Sequence, residues 1–254
     1  MEHLNKRKIY NFFKSHKIKK NDTVFVHGNA SVIKQMQESN NKKKISLFWK
    51  YFLSYFSSKG TVIVPTFTYS LTRKKIFNPK TSKSTIGLFS ETFRKLKFTK
   101  RSSHPIFSVA HFGKLSEIIN QTSDETCFGK NSIYDLLFKK NAKLLCVGCS
   151  FNELTFVHYI EEKLKVKYRY NKIFEGFYYK NNKKEFIRCN YFVRDLKYKY
   201  NTNLNLKKIM TSLKKNKKYI YNPLGYMPAH SVNARDLFKK AEKNISSNKH
   251  YLIN

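Results

Sequence analysis

Cysteine is scarce in this 254-residue chain. Four residues, Cys127, Cys146, Cys149 and Cys189, are too few for the disulfide framework of a small secreted domain. No apolar run approaches the roughly 18 residues of a membrane-spanning helix. The first twenty residues, MEHLNKRKIYNFFKSHKIKK, lack the apolar stretch of a secretory signal, so a cytoplasmic location is expected. Neither G-x-x-x-x-G-K-[ST] nor G-x-G-x-x-G occurs, which removes the usual nucleotide-phosphate loops. Zinc-finger spacing, RNP aromatic signatures and a basic zipper are also missing, so a nucleic-acid module has only charge to recommend it. CVGC (146–149) has C-x-x-C spacing, but a zinc or redox role would need a second pair or a dithiol at a helix N-terminus. The cysteines read as ordinary buried or strand-end thiols, and no metal is expected.

Acid is the other shortage. Sixteen Asp+Glu stand against 51 Lys+Arg, for a formal charge of +35. The abundance of Lys, Asn, Ile, Phe and Tyr suggests AT-rich codons, but such codons serve Glu as readily as Lys. A field of this sign concentrates anionic ligands, whether nucleic acid, anionic lipid or phosphorylated small molecules. The lysines are spread along the chain, which favours a general field over a dedicated tail.

What is present is a large aromatic core set, 22 Phe and 17 Tyr within 41% hydrophobic residues, enough for one domain over 1–254. Apolar periodicity predicts helices over 3–17, 45–60 (stopped by Gly60), 84–96 and 132–141, after 151, and near 204–216 and 233–243. Strands are expected at 23–28, from 61, at 105–113 and at 143–148. Residues 167–194 read as two strands joined by an Asn-Asn turn. Alternating strands and helices with a hairpin-containing C-terminal part predict an α/β fold, a mixed β-sheet flanked by helices.

Three strand ends crowd Ser, Thr, His and Gly: VHGNAS (26–31), PTFTYS (65–70) and RSSHPIFSVAHFG (101–113). Strand ends are where α/β proteins bind ligands, and free N–H groups with hydroxyls can hold phosphate there. A fourth stretch, FNELTFVHYIEEKLKVKYRY (151–170), puts His158 one helical turn before Glu161 and Glu162. An i,i+3 or i,i+4 spacing brings a carboxylate beside the imidazole. A histidine so held is a natural general base for an amine, which starts protonated near neutrality. From spacing alone a solvated helix face carrying one His and two Glu is the commoner arrangement, since i,i+4 surface pairs are frequent.

In order, VHGNAS, PTFTYS, FNPKTSKSTIGLFSETFRK, RSSHPIFSVAHFG, FGKNSIYDLL, KLLCVG and LTFVHYIEEKLKVKYR resemble the aminoglycoside 3-N-acetyltransferase family over about residues 20–175. The resemblance implies an acetyl-CoA-dependent N-acyltransferase of non-GNAT fold that acetylates an amine on a sugar-like ring. The family's T-x-x-H-x-x-E segment is matched at Thr155, His158 and Glu161, which implies His158 as catalytic base and Glu161 as its carboxylate. Ser31, Thr66, Ser102, Ser103 and Ser108 become candidates for holding coenzyme A, each equally readable as a turn or cap residue. Tyr69, Asn78, His104 and Arg169 become candidates for the acceptor side, while His27 and His111 read as strand packing. Two departures stand out. The chain has HGN where the family has HSS, and FNP where it has FDP.

Charge then bears on the acceptor. Polycationic aminoglycosides normally call for acidic surfaces, whereas this chain is strongly basic and has Asn78 in place of an acid. The expectation is therefore an anionic acceptor, a nucleotide-linked or otherwise phosphorylated amino sugar in glycoconjugate synthesis. The alternatives are true aminoglycoside acetylation, conferring resistance, and a catalytically silent protein that binds nucleic acid or a membrane surface. Oligomeric state is left open.

Overall fold

The apolar run TVFVHG forms the centre of the fold. In a computed structural model, which describes residues 3–254, helix α1 (Lys6–Ser15) leads into this strand, β1 (Thr23–Gly28). There follow α2 (Asn41–Leu53), β2 (Thr61–Pro65), α3 (Leu88–Arg94), β3 (Lys100–Arg101), β4 (Val109–Gly113), α4 (Ser116–Asn120), α5 (Ile133–Lys139) and β5 (Lys143–Val147). The chain continues through α6 (Phe156–Lys163), β6 (Arg169–Lys180), β7 (Lys183–Arg194), α7 (Lys207–Lys215), β8 (Tyr219–Tyr221), β9 (Ala229–Asn233) and α8 (Ala234–Ser247). Seven strands make one sheet in the order β3-β4-β2-β1-β5-β9-β8. β1 runs parallel to β2 and β5, while β4 and β9 pair antiparallel on either side. The sheet is mixed and helix-flanked, as the alternation of elements predicts.

Period-two alternation sorts the strand residues between two cores. Phe25, Ile63, Val109, Leu144 and Cys146 face the core built with α5, α6 and α8. Val24, Val26, Val62, Val64, Ala110, Leu145 and Val147 face the core built with α1, α2 and α3. Burial on both faces is why β1, β2 and β5 read as continuous apolar runs. Their carboxyl ends, at Gly28, Pro65 and Val147, lie along one edge, the position where open α/β sheets take ligands.

Several boundaries differ from the sequence reading. Helix α2 starts earlier than 45, because the Asn40 side chain caps it by accepting from the N–H groups of Lys42 and Lys43. It ends at Leu53, well before Gly60, whose glycine is needed because a Cβ there would strike the Lys20 carbonyl. Helix α3 begins at Leu88, not 84; the Ser84 N–H donates to Glu91 (2.9 Å) as part of the loop before it. The strand expected over 105–113 starts only at Val109, because the His104 ring accepts the N–H groups of Ile106 and Phe107 (3.1 and 3.0 Å) and turns that segment out of the sheet. The hairpin turn is as expected, with Asn181 and Asn182 both at positive φ (48° and 64°), the conformation that a tight hairpin favours. β6 and β7 pair with each other in a separate two-stranded sheet. Among the described residues, no helix is long and apolar enough to cross a membrane.

Gly28, where the resembled family carries a serine, has a packing reason. A Cβ there would lie 2.6 Å from ring carbons of Phe89, a residue buried in the core. Gly28→Ser is expected to cost about 1–3 kcal/mol, the usual penalty for overpacking, in a denaturant titration. A Gly28→Ser/Phe89→Leu pair should recover part of the loss. A single variant as stable as the parent would show that the ring moves aside freely.

Candidate active site

The loop after β5 carries Asn152 and Glu153, and α6 starts behind it at Phe156. One face of α6 packs Phe156, Val157, Tyr159 and Ile160 into the core. That burial turns His158 toward the sheet's carboxyl edge and carries Glu161 fully inside. The His158 Nδ1 stands 2.7 Å from Glu161 Oε2. Arg169, at the start of β6, closes the group: its Nε lies 2.7 Å from the same oxygen, and its guanidinium donates to the Phe192 carbonyl (3.1 Å). The second Arg169 nitrogen approaches His158 Nδ1 at 2.9 Å, but two donors cannot face each other. The pairing that satisfies the carboxylate is Nδ1–H donating to Glu161, which leaves the Nε2 lone pair without a protein partner among the described residues. The edge of the Phe128 ring, 5.5 Å between centroids, braces the imidazole.

Electrostatics favour a neutral imidazole on an ionised carboxylate. Burial first, then the Arg169 charge, hold His158 below its ordinary value, against the pull of Glu161. Burial works against charge on Glu161, yet the His158 hydrogen bond and the Arg169 charge hold it below the ordinary carboxylate range. Glu162 lies differently. It is half-buried, and burial raises its pKa.

Two cavities meet at His158. One, of about 300 Å³, is lined by His27, Gly28, Phe67, Tyr69, Ser90 and Glu153 among others. The other, of about 380 Å³, is lined by Arg169, Arg194, Thr202 and Leu204. His158, Asn152 and Tyr191 line both. His27 reaches the first cavity from β1, with Nε2 3.0 Å from Thr155 Oγ1, and burial lowers its pKa to about 3, so it stays neutral. A third cavity, of about 560 Å³, is basic, with Lys80, Arg94, Lys100, Arg101 and Lys180 beside Asn78 and Ser103. Three of these cations already hold carboxylates: Arg94 pairs with Glu91, Lys100 with Glu117, and Lys180 with Asp124. Thr66 sits between Pro65 and Phe67, both walls of the first cavity. Its hydroxyl accepts from Arg101 Nε (3.1 Å), and Arg101 lines the third cavity, so one hydrogen bond links the strand end beside the first cavity to the third.

The residues singled out in the sequence fall into four groups. His158, Glu161, Arg169 and Tyr69 gather at the first two cavities. Asn78 and Ser103 line the basic one; the Asn78 side chain accepts the Lys80 N–H (2.9 Å) and Ser103 donates to Asp124 (2.7 Å). Thr66, Ser102 and Ser108 have hydroxyls engaged inside the protein: Thr66 donates to the Ser108 carbonyl, Ser108 to the Thr66 carbonyl, and Ser102 accepts the Val109 N–H. Ser31 stands in the short 3-10 turn after β1, and His104 is buried in a backbone-bonded loop outside the walls of all three cavities. Asn152, Glu153 and Tyr191 were not anticipated. Tyr191 comes from the hairpin, and no local pattern in its strand marks it as a cavity wall.

A family model described as aminoglycoside 3-N-acetyltransferase matches residues 25–246. No curated protein matches. Among solved structures, AAC-IIIb in a binary complex with CoASH superposes with a TM-score of 0.79 at 15% identity, covering 96% of this chain and 97% of that one. A histidine-to-alanine mutant of aminoglycoside acetyltransferase AAC(3)-IVa in complex with a gentamicin gives 0.78 at 18% identity, covering 100% and 93%. AAC-VIa bound to sisomicin gives 0.80 at 13% identity, covering 96% and 98%. The family match overturns the expectation of a nucleotide-linked, anionic amino sugar and favours the aminoglycoside alternative. The charge of the whole chain, +35, is not the charge of the site. Glu153 is the charged side chain in the first cavity's wall, and no Lys or Arg among the described residues lines it.

Proposed function

Since this chain belongs to the aminoglycoside 3-N-acetyltransferase family, a family of acyl-CoA-dependent N-acetyltransferases, we propose that it transfers acetyl from acetyl-CoA to the 3-amino group of an aminoglycoside. The observation that carries the reading is His158, with Nδ1 on a buried carboxylate and Nε2 free where two cavities meet. In this reading the thioester lies beside Nε2, and the cofactor's phosphates extend toward the basic cavity behind Thr66. The acceptor's amine approaches from the other side of the imidazole. Nε2 takes the amine's proton as nitrogen attacks the thioester carbonyl. The C–S bond then breaks, and the proton leaves with the coenzyme A thiolate. Glu161 supports the transient imidazolium, and Arg169 fixes Glu161. Glu153 offers a carboxylate to one of the acceptor's other ammonium groups. We also infer that residues 1–254 act as one unit, because both cores share the sheet that carries the site.

Thiol release from acetyl-CoA tests the reading. Gentamicin-type compounds with a free 3-amino group are expected to support turnover, and the same compounds already acetylated there are expected to give none. Equal turnover with both would contradict the regiochemistry. Salt should leave kcat/KM unchanged or raise it, because screening relieves long-range repulsion between a polycation and a chain of +35.

A further inference from the structure

Cys127 and Cys189, 62 positions apart and isolated in the sequence, are both fully buried with their sulfurs 3.8 Å apart. Cys127 precedes α5 in the 121–131 loop, and Cys189 sits on β7. They meet because the loop runs alongside that strand: the Cys127 N–H donates to the Asn190 carbonyl (2.9 Å) and the Asn190 N–H to the Glu125 carbonyl (2.7 Å). His104 completes the group, its Nε2 3.8 Å from Cys189 Sγ.

One His and two Cys whose ligand atoms lie within 4.8 Å of one another have the composition of a soft-metal site, but the histidine is held the wrong way round for one. Its Nδ1 accepts two backbone N–H groups, from Ile106 and Phe107 (3.1 and 3.0 Å). The ring proton therefore sits on Nε2, where it reaches the Thr126 carbonyl (3.2 Å) and the Cys189 sulfur. A metal on Nε2 would force that proton onto Nδ1, against two donors. What this arrangement serves is a thiolate: a fixed N–H aimed at Cys189, with the Cys127 thiol as second donor.

We propose that Cys127 and Cys189 form a reversible disulfide when the protein meets a small peroxide. The Cys189 thiolate attacks the peroxide; an S–O bond forms, the O–O bond breaks, and hydroxide leaves to become water. Cys127 then loses its proton and attacks the Cys189 sulfenic acid; the S–S bond forms, the S–O bond breaks, and a second water leaves. The Cys127 and His104 donors draw Cys189 below the ordinary thiol range, while burial pushes Cys127 up, an ordering that makes Cys189 the attacking sulfur and Cys127 the resolving one. The acids facing the pair are Asp124 and Glu162; each opposes a thiolate, Asp124 at Cys189 and Glu162 at Cys127.

Closing the pair brings the sulfurs from 3.8 Å to about 2.05 Å. Phe128, next to Cys127, braces His158, and Tyr191, two residues beyond Cys189, lines both cavities at that histidine. The disulfide therefore pulls on the ring that braces His158 and on one wall of the site. A displacement of about an ångström at a catalytic group costs up to about 100-fold in rate.

The test uses the full chain, treated with hydrogen peroxide and digested without reductant for mass spectrometry. The expected result is a Cys127–Cys189 linked peptide that disappears on treatment with a thiol reductant. In Cys127→Ser, the expected result is a Cys189 sulfenic acid trapped by dimedone, with no link. With the chain unfolded in denaturant for alkylation, both thiols still free after Cys149 has oxidised would overturn the proposal, as would stoichiometric zinc released when the pair is alkylated. These outcomes do not depend on the acceptor. The activity arm rests on the acetyltransferase reading: peroxide should lower acetyl transfer and reductant restore it, and a linked protein with unchanged rate would overturn the coupling to the site.

Discussion

Replacing His158 with alanine is expected to lower kcat by at least about 100-fold, the lower end for a positioned acid–base group, and to leave acetyl-CoA affinity nearly unchanged. The reason is geometric. Nε2 is the unpartnered basic atom at the junction of two cavities, and its ring is fixed from behind by Glu161 at 2.7 Å. A general base works above its own pKa, and burial together with Arg169 lowers that of His158. The wild-type rate therefore falls on the acid side only below the ordinary histidine value of about 6.5. Steady-state kinetics with acetyl-CoA saturating at each pH reads both effects. Near-normal turnover in the alanine variant would remove His158 from the mechanism.

Glu161→Gln is expected to lower kcat by about 100-fold or more while Glu162→Gln changes it little. A glutamine at 161 can donate its amide N–H to His158 Nδ1. That stabilises the tautomer with the proton on Nε2, which has no lone pair to offer the amine. The same change leaves the buried Arg169 without its counter-charge, so a stability loss of about 3–5 kcal/mol is expected, the cost of removing one partner of a buried pair. Glu162 has neither contact. Burial favours its protonated form, which an amide imitates closely. Paired kinetics and denaturant titration separate the two carboxylates. A larger kcat loss at Glu162 would mean that the wrong acid has been placed behind the histidine.

Much of the fold is legible in the sequence where burial is two-sided. TVFVHG and KLLCV are unbroken apolar runs because each lies between two helical layers, and they are the parallel strands whose ends carry the site. Strands β8 and β9 leave no such mark. YIY is three residues long, and AHSVN alternates with the polar His230 on a short antiparallel flank. The start of α2 is hidden because its first turn is a run of lysines held by an asparagine cap.

The site follows the same rule. The His158–Glu161 contact follows from an i,i+3 spacing on one helix, so local periodicity exposes it. Arg169 reaches the histidine from the hairpin, Tyr191 from the same hairpin and Glu153 from a loop join it in the cavity wall, and such neighbours are set by tertiary packing. The pairing of Cys127 with Cys189 across 62 residues is invisible for the same reason. The acceptor is not legible in the net charge because a sum over the surface says nothing about one cavity wall.

Purified protein incubated with acetyl-CoA and a gentamicin-type aminoglycoside, with free thiol and modified aminoglycoside quantified in the same sample, tests the central claim most directly. The account predicts one molecule of aminoglycoside heavier by one acetyl group for each thiol released, with both products lost together in His158→Ala. Thiol release that yields no acetylated aminoglycoside, or that persists undiminished in the alanine variant, would contradict it.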